Sequence, residues 1–248
     1  MELPIQSALI QQFMVQFACR IPTKAEILPA ERNSLKEILQ NYGELDLFQL
    51  FNEGVSETSP HLFQSAKQYF VGNMTITVPS FILSHNSITV VHPIKIAAKT
   101  FITNDSFDTG YLNGIMRDLF LQIQKTLPKV HFNRAGKIFE LSVGPLSDAN
   151  KSALLGNLFR YQLNHVLEVN LQFTPVRDVG GEQHNLQTRL SCHQPAPGSS
   201  YVATVRVDVN NRELKESLEP TQLQQFWNQA DGLIGGYLQE ILGAVEHA

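Results

Sequence analysis

The chain has 248 residues, 43% of them hydrophobic, enough to bury a sizeable core as one large domain or two small ones. Lys+Arg number 19 against 23 Asp+Glu, a formal charge of −4, so there is no global positive field to hold a polyanion, and nucleic acid is not the favoured partner. Charged residues make up only 17%, against roughly 25% in an ordinary soluble domain, which points to a polar, weakly charged surface suited to a protein partner.

Residues 1–20 are apolar enough to raise the question of a secretion signal. Glu2 stands where basic residues are needed, however, and Gln6, Gln11, Gln12 and Gln16 interrupt the apolar run. No stretch reaches the length of a membrane span, so a cytoplasmic protein without membrane attachment is expected, and the glycosylation-like triplets at Asn73, Asn104 and Asn150 are chance matches. Residues 9–21 alternate, with Phe13, Val15, Phe17, Cys19 and Ile21 on one face, and predict a strand. Pro29, the helical spacing of Leu35, Ile38, Leu39 and Tyr42, and Gly43 as a stop predict a short helix. The signal is poor over 44–67. Strands resume at 69–78, 80–84, 88–92 and 94–102, with a turn at His85-Asn86. Asn104-Asp105-Ser106 then caps a long helix over 106–127, with Phe107, Tyr111, Ile115, Leu119 and Ile123 as its apolar stripe.

The second half repeats the order. Residues 130–143 read as a strand bent or interrupted near Gly136, Ser147-Asp148 opens a shorter helix, and three alternating strands follow around Leu171, Leu190 and Val205. Gly180-Gly181 marks a turn. A helix over 221–245 closes the chain, with a stripe from Leu223 and Trp227 through Leu233 and Ile234 to Leu242; Gly232, Gly235 and Gly236 on it are expected to permit close approach of the sheet or a partner helix. The expected fold is α+β and two-layered: duplicated β-α-β-β-β-α units, 1–128 and 129–248, forming a mostly antiparallel sheet with two long helices packed on one face.

No motif carries an evident chemistry. There is no phosphate loop, no nucleophile elbow and no convergent set of ligands among His184, Cys192 and His193, so neither a metal nor a cofactor is expected. Cys19 and Cys192 fall on inward positions and read as buried thiols rather than a disulfide. Arg189, Arg206 and Asp208 fall on the polar faces of neighbouring strands, either as solvated cross-strand ion pairs or as a recognition surface.

Three segments carry a resemblance: Phe13-Met14-Val15-Gln16-Phe17, Arg134-Ala135-Gly136-Lys137-Ile138-Phe139, and Val205-Arg206-Val207-Asp208-Val209 before the terminal helix. In this order they resemble an uncharacterised, sporadically distributed bacterial family of proteins of similar size. The family's middle segment reads closer to Arg-x-Gly-Leu-Arg-Tyr, from which Lys137, Ile138 and Phe139 depart. The resemblance implies no activity and supplies no catalytic residues.

Two functions follow as expectations. One is a non-enzymatic binding or assembly protein, such as a bacterial accessory component, that contacts a protein partner through Arg189, Arg206 and Asp208 and leaves homo-oligomerisation open. The alternative is a small-molecule-binding protein or enzyme with a cavity between sheet and long helix, lined by Phe132, Phe139, Phe173, Tyr201 and Trp227.

Overall fold

The computed structural model describes residues 9–22, 26–42, 50–52, 61–71, 74–96, 99–100, 109–158 and 168–242. In chain order the elements are β1 (Ile10–Arg20), α1 (Pro29–Asn41), β2 (Leu50–Asn52), β3 (His61–Val71), β4 (Met74–Ser84), β5 (Ser87–Ile96), β6 (Lys99–Thr100) and α2 (Thr109–Thr126). They continue with β7 (Arg134–Leu146), α3 (Asp148–Leu158), β8 (Glu168–Phe173), β9 (Val176–Val179), β10 (Glu182–His193), β11 (Tyr201–Asn211) and α4 (Pro220–Leu242). The strands form one sheet in the order β2-β3-β4-β5-β1-β7-β11-β10-β8, with β6 beside β5 and β9 beside β10. Every pairing among the described strands is antiparallel.

Strict alternation decides which residues enter the core. On β1, Phe13, Val15, Phe17 and Cys19 are buried, and on β11 so are Ala203, Val205, Val207 and Val209. These inward side chains join a single apolar cluster with Leu35 and Leu39 of α1, Leu119 and Phe120 of α2, Leu154 of α3, and Trp227 and Ile234 of α4. Edge-to-face ring contacts tie the layers together: Trp227 meets Phe17 at 5.0 Å and Phe120 at 5.3 Å between centroids. Such pairs contribute about 0.5–1.5 kcal/mol each beyond their buried area. No helix among the described residues is long and apolar enough to cross a membrane.

Local chemistry sets the boundaries. Glu31 accepts the backbone N–H of Leu28 at 2.7 Å, closing the start of α1 ahead of Pro29. The Ser147 hydroxyl accepts the N–H of Asn150 at the start of α3. Gly180 and Gly181, at φ 63° and 85°, make the two-residue turn between β9 and β10, where a side chain would strain the backbone.

Several sequence expectations are corrected. Residues 61–67, within the stretch of poor signal, belong to β3; its inward positions are Phe63 and a buried Ser65, and the serine breaks the apolar alternation. The single strand expected over 69–78 is two, because β3 ends at Val71 and β4 begins at Met74. Conversely, β5 runs unbroken through Pro93, which pairs with Met14 beside a register shift, where a missing N–H is tolerated. Strand β7 starts at Arg134 rather than at 130 and passes Gly136 without interruption. On α2, Tyr111 is 67% exposed, and the buried stripe is Leu112, Met116, Leu119, Phe120 and Ile123, continued by Leu127 just past its end: a strict four-residue step drifts off the face of a 3.6-residue helix. Leu233 is only half-buried, and a Cβ added at Gly232 or Gly236 would meet nothing within 4 Å, so neither glycine serves a close approach. Phe107, the Asn104-Asp105-Ser106 cap, Gly43 and residues 243–245 lie outside the described residues.

Candidate functional site

Strands β7, β11 and β10 lie side by side, and their outward side chains build a polar surface opposite the core. The register sets Arg206 of β11 directly between Glu140 of β7 and Arg189 of β10. Arg206 Nη1 donates to Glu140 Oε2 at 2.9 Å. Arg189 is exposed and makes no hydrogen bond or ion pair to any described residue, so two arginines stand opposite each other across one strand gap, with Glu140 bonded to Arg206 on its other side and Asp208 acting on both through space. Like charges directly opposite are unfavourable in a sheet.

Asp208 lies two residues along β11, opposite Gln187 and Ile138. Burial raises its pKa above the usual carboxylate value, opposed by the hydrogen bond from Asn210 and by Arg206, Arg134 and Arg189. Arg189, Arg206 and Asp208 are thus brought together, and with Gln187 they line a hollow of about 80 Å³. Beside it an open cleft of about 500 Å³ is walled by Glu140, Arg189 and Arg206 together with Asn170, Gln172 and Thr204. The carboxylate there accepts hydrogen bonds, and the hydroxyls and amides both accept and donate them; two arginines make the cleft suited to an anionic group.

The opposite face of β7 holds a second constellation. Lys137 points inward, fully buried between Phe17 of β1 and Val209 of β11. Its Nζ lies 2.5 Å from Asp231 Oδ1 of α4 and donates to Asn113 Oδ1 of α2 at 2.6 Å. Asn113 Nδ2 in turn donates to Asp231 Oδ2 at 2.8 Å and to Asn228 Oδ1 at 2.7 Å, closing a ring of three side chains. The rings of Phe17 and Phe139 sit 4.9 and 5.6 Å from Nζ. Burial lowers the Lys137 pKa to about 8 against the pull of Asp231, so the lysine remains charged at neutral pH. The ring ties the sheet centre to both long helices. Sequence reasoning missed it, although an inward lysine among Ala135, Phe139 and Leu141 was a signal, because such a charge needs a buried partner.

The five aromatic residues expected to line a cavity are packed with the core. Phe132, Phe139 and Trp227 have no exposed surface, Tyr201 is buried, and Phe173 is half-buried, 6.5 Å from the Tyr237 ring. None of them lines a described cleft. Cys19 and Cys192 are free and buried, and burial raises both thiol pKa values. His184 is buried on the inward face of β10 against Phe226, with neither ring nitrogen bonded to a described residue, and burial lowers its pKa. His193 lies on the other face of β10, so no convergent set forms with Cys192.

No family model and no curated protein matches the chain. Among solved structures it aligns with the crystal structure of the di-domain ARO/CYC StfQ from the steffimycin biosynthetic pathway, at 9% identity and a TM-score of 0.20, over 94% of this chain and 98% of that one. A score that low does not show a common fold.

Proposed function

We propose that this chain is a non-enzymatic binding or assembly protein, an accessory component that recognises a protein partner with the open face of its sheet. The observation that carries the reading is Arg189 set opposite Arg206 at the mouth of the cleft, with no bonding partner of its own among the described residues. Two facing arginines cost the sheet a little stability, and arginines of this kind supply the anchors of many protein interfaces. The cleft wall of Asn170, Gln172 and Thr204 resembles an interface rim, polar and able to bond in either direction.

We also infer that the chain is a duplicated β-α-β-β-β-α unit with halves 1–128 and 129–248. In support, the sheet reads β5, β4, β3 outward from β1 and β11, β10, β8 outward from β7, and each run is followed by a long helix, α2 or α4, in the shared core.

The test is site-specific photocrosslinking in native lysate. A photoreactive residue at exposed Gln172 should capture a defined protein, and one at Leu121 on α2 should not. Capture should disappear in the Arg189→Ala, Arg206→Ala double variant. Equal capture from both positions, or capture indifferent to the arginines, would refute the reading.

A further inference from the structure

We infer, resting on the reading above, that the partner is recognised through an extended acidic segment of its chain whose carboxylates are taken by Arg189 and Arg206. The charges on the face carry the argument. On β1, β7, β8, β9, β10 and β11 the outward charged residues are Arg20, Arg134, Arg189 and Arg206 against Glu140, Glu168, Asp178 and Asp208, a balanced face on a chain of formal charge −4, in which the arginines are grouped. The arginines form two cross-strand pairs, Arg20 with Arg134 at one end of the β1–β7 ladder and Arg189 with Arg206 across the next strands.

Arg134 and Glu140 are six residues apart on β7, about 20 Å at roughly 3.4 Å per residue, so the two pairs mark out a length that an extended segment of about six to eight residues spans. Arg134 is already held by the Asn211 carbonyl and Asn210, and Arg206 by Glu140. Arg189 presents its planar fork unbonded to any described residue, with Asp208 acting on it only through space, and such a fork takes a carboxylate with two parallel N–H donors. A second carboxylate would compete with Glu140 for Arg206.

A peptide fits better than a single-stranded nucleic acid. No described outward side chain on β1, β7, β8, β10 or β11 is Phe, Tyr or Trp, and His193 at the end of β10 is the one imidazole, so successive bases would find no stacking platform. The outward Asn170, Gln172, Gln187 and Ser191 offer donors and acceptors to a peptide backbone instead.

The experiment uses the full chain and a fluorescein-labelled peptide of about eight residues alternating Glu and Thr with blocked termini, so that the acids share one side of an extended chain. Anisotropy should report saturable binding that weakens as salt rises. Arg189→Gln should weaken it about tenfold or more, the scale of an interface arginine. Glu140→Gln should strengthen it by releasing Arg206, a gain that misfolding does not mimic. Absence of saturable binding, binding unchanged in Arg189→Gln, weaker binding in Glu140→Gln, or tighter binding of oligothymidylate through the same arginines would each overturn the proposal. If the acidic peptide fails while crosslinking from Gln172 still captures a protein through Arg189 and Arg206, the acidic segment is wrong and the recognition face stands; if both fail, both fall.

Discussion

Lys137 and Glu140 stand three residues apart on β7, one facing the helices and the other the open side of the sheet, and each belongs to an ion pair. The Lys137–Asp231 pair is sealed under α2 and α4, with the lysine at 0% and the aspartate at 10% side-chain exposure; Arg206 and Glu140 retain 32% and 23%. In the first pair both charges have lost most of their water, so each depends on the other and on Asn113. In the second, solvent shares the work. The difference teaches that the covered face is a place where charge is bound to structure, whereas the open face has charge to spare.

The most direct way to break this comparison is to remove one member of the buried pair. Asp231→Ala leaves the Lys137 charge in an apolar setting and should cost about 3–5 kcal/mol, whereas replacing both, Lys137→Met with Asp231→Leu, should cost much less, because an apolar pair needs no solvation. Urea unfolding of the three proteins measures it. A loss below about 1 kcal/mol in Asp231→Ala, the range of exposed pairs, would mean that water reaches Lys137 and the two faces do not differ in kind.

The second effect depends on pH. The Lys137 proton leaves near pH 8 in the folded chain and near the ordinary 10.5 in the unfolded one. Between those values the unfolded chain binds more protons, so raising the pH through this window raises the stability contributed at this site, by about 1.4 kcal/mol per unit of pKa difference. Among the described residues, only Asp231 and the amides of Asn113 and Asn228 bond into the ring from the packed helices. The stability of wild type relative to Lys137→Met should therefore climb from pH 8 to 10.5 and be flat from pH 6 to 7. A flat difference throughout would show that Asp231 holds the lysine at its ordinary pKa.

Much of the fold was legible because burial imposes its period on the chain. Strands β1 from Phe13 onward, β10 and β11 alternate, and α4 carries its stripe from Leu223 to Leu242, so faces could be assigned residue by residue. Illegible were places where a polar residue occupies a buried position or a breaker is tolerated: Ser65 hid β3, and Pro93 split β5 in the reading but not in the sheet. The candidate site shows the same division. Alternation placed Arg189, Arg206 and Asp208 outward, yet their adjacency is a property of register, which only the pairing of distant strands supplies. Asn113, Lys137 and Asp231 each sit on an apolar face as an apparent flaw, and only the crossing of α2 and α4 over β7 turns three flaws into one bonded ring.

On the open face the expected effects shrink. Glu140→Ala removes a partly exposed carboxylate and leaves Arg206 beside Arg189 with water for compensation, so thermal or urea unfolding should show a loss of about 1 kcal/mol or less. A loss of the size predicted for Asp231→Ala would place Glu140 in the structural framework and remove the contrast between the faces.

The smallest effect is the most discriminating. Arg189→Gln removes a guanidinium that no described residue bonds and that faces another across the strand gap. A residue kept for the fold should be missed when it is gone; a residue kept for a partner should not. The expected change is therefore within about 0.5 kcal/mol, in the direction of greater stability, since a like-charge pair is relieved. The gain should grow at low ionic strength, where the Debye length lengthens from about 10 Å at 0.1 M salt to about 30 Å at 0.01 M. Urea midpoints of wild type and variant at the two salt concentrations supply the comparison. A loss above about 1 kcal/mol would mean that Arg189 is satisfied within the sheet after all, and the free charge from which the recognition face was argued would not be free.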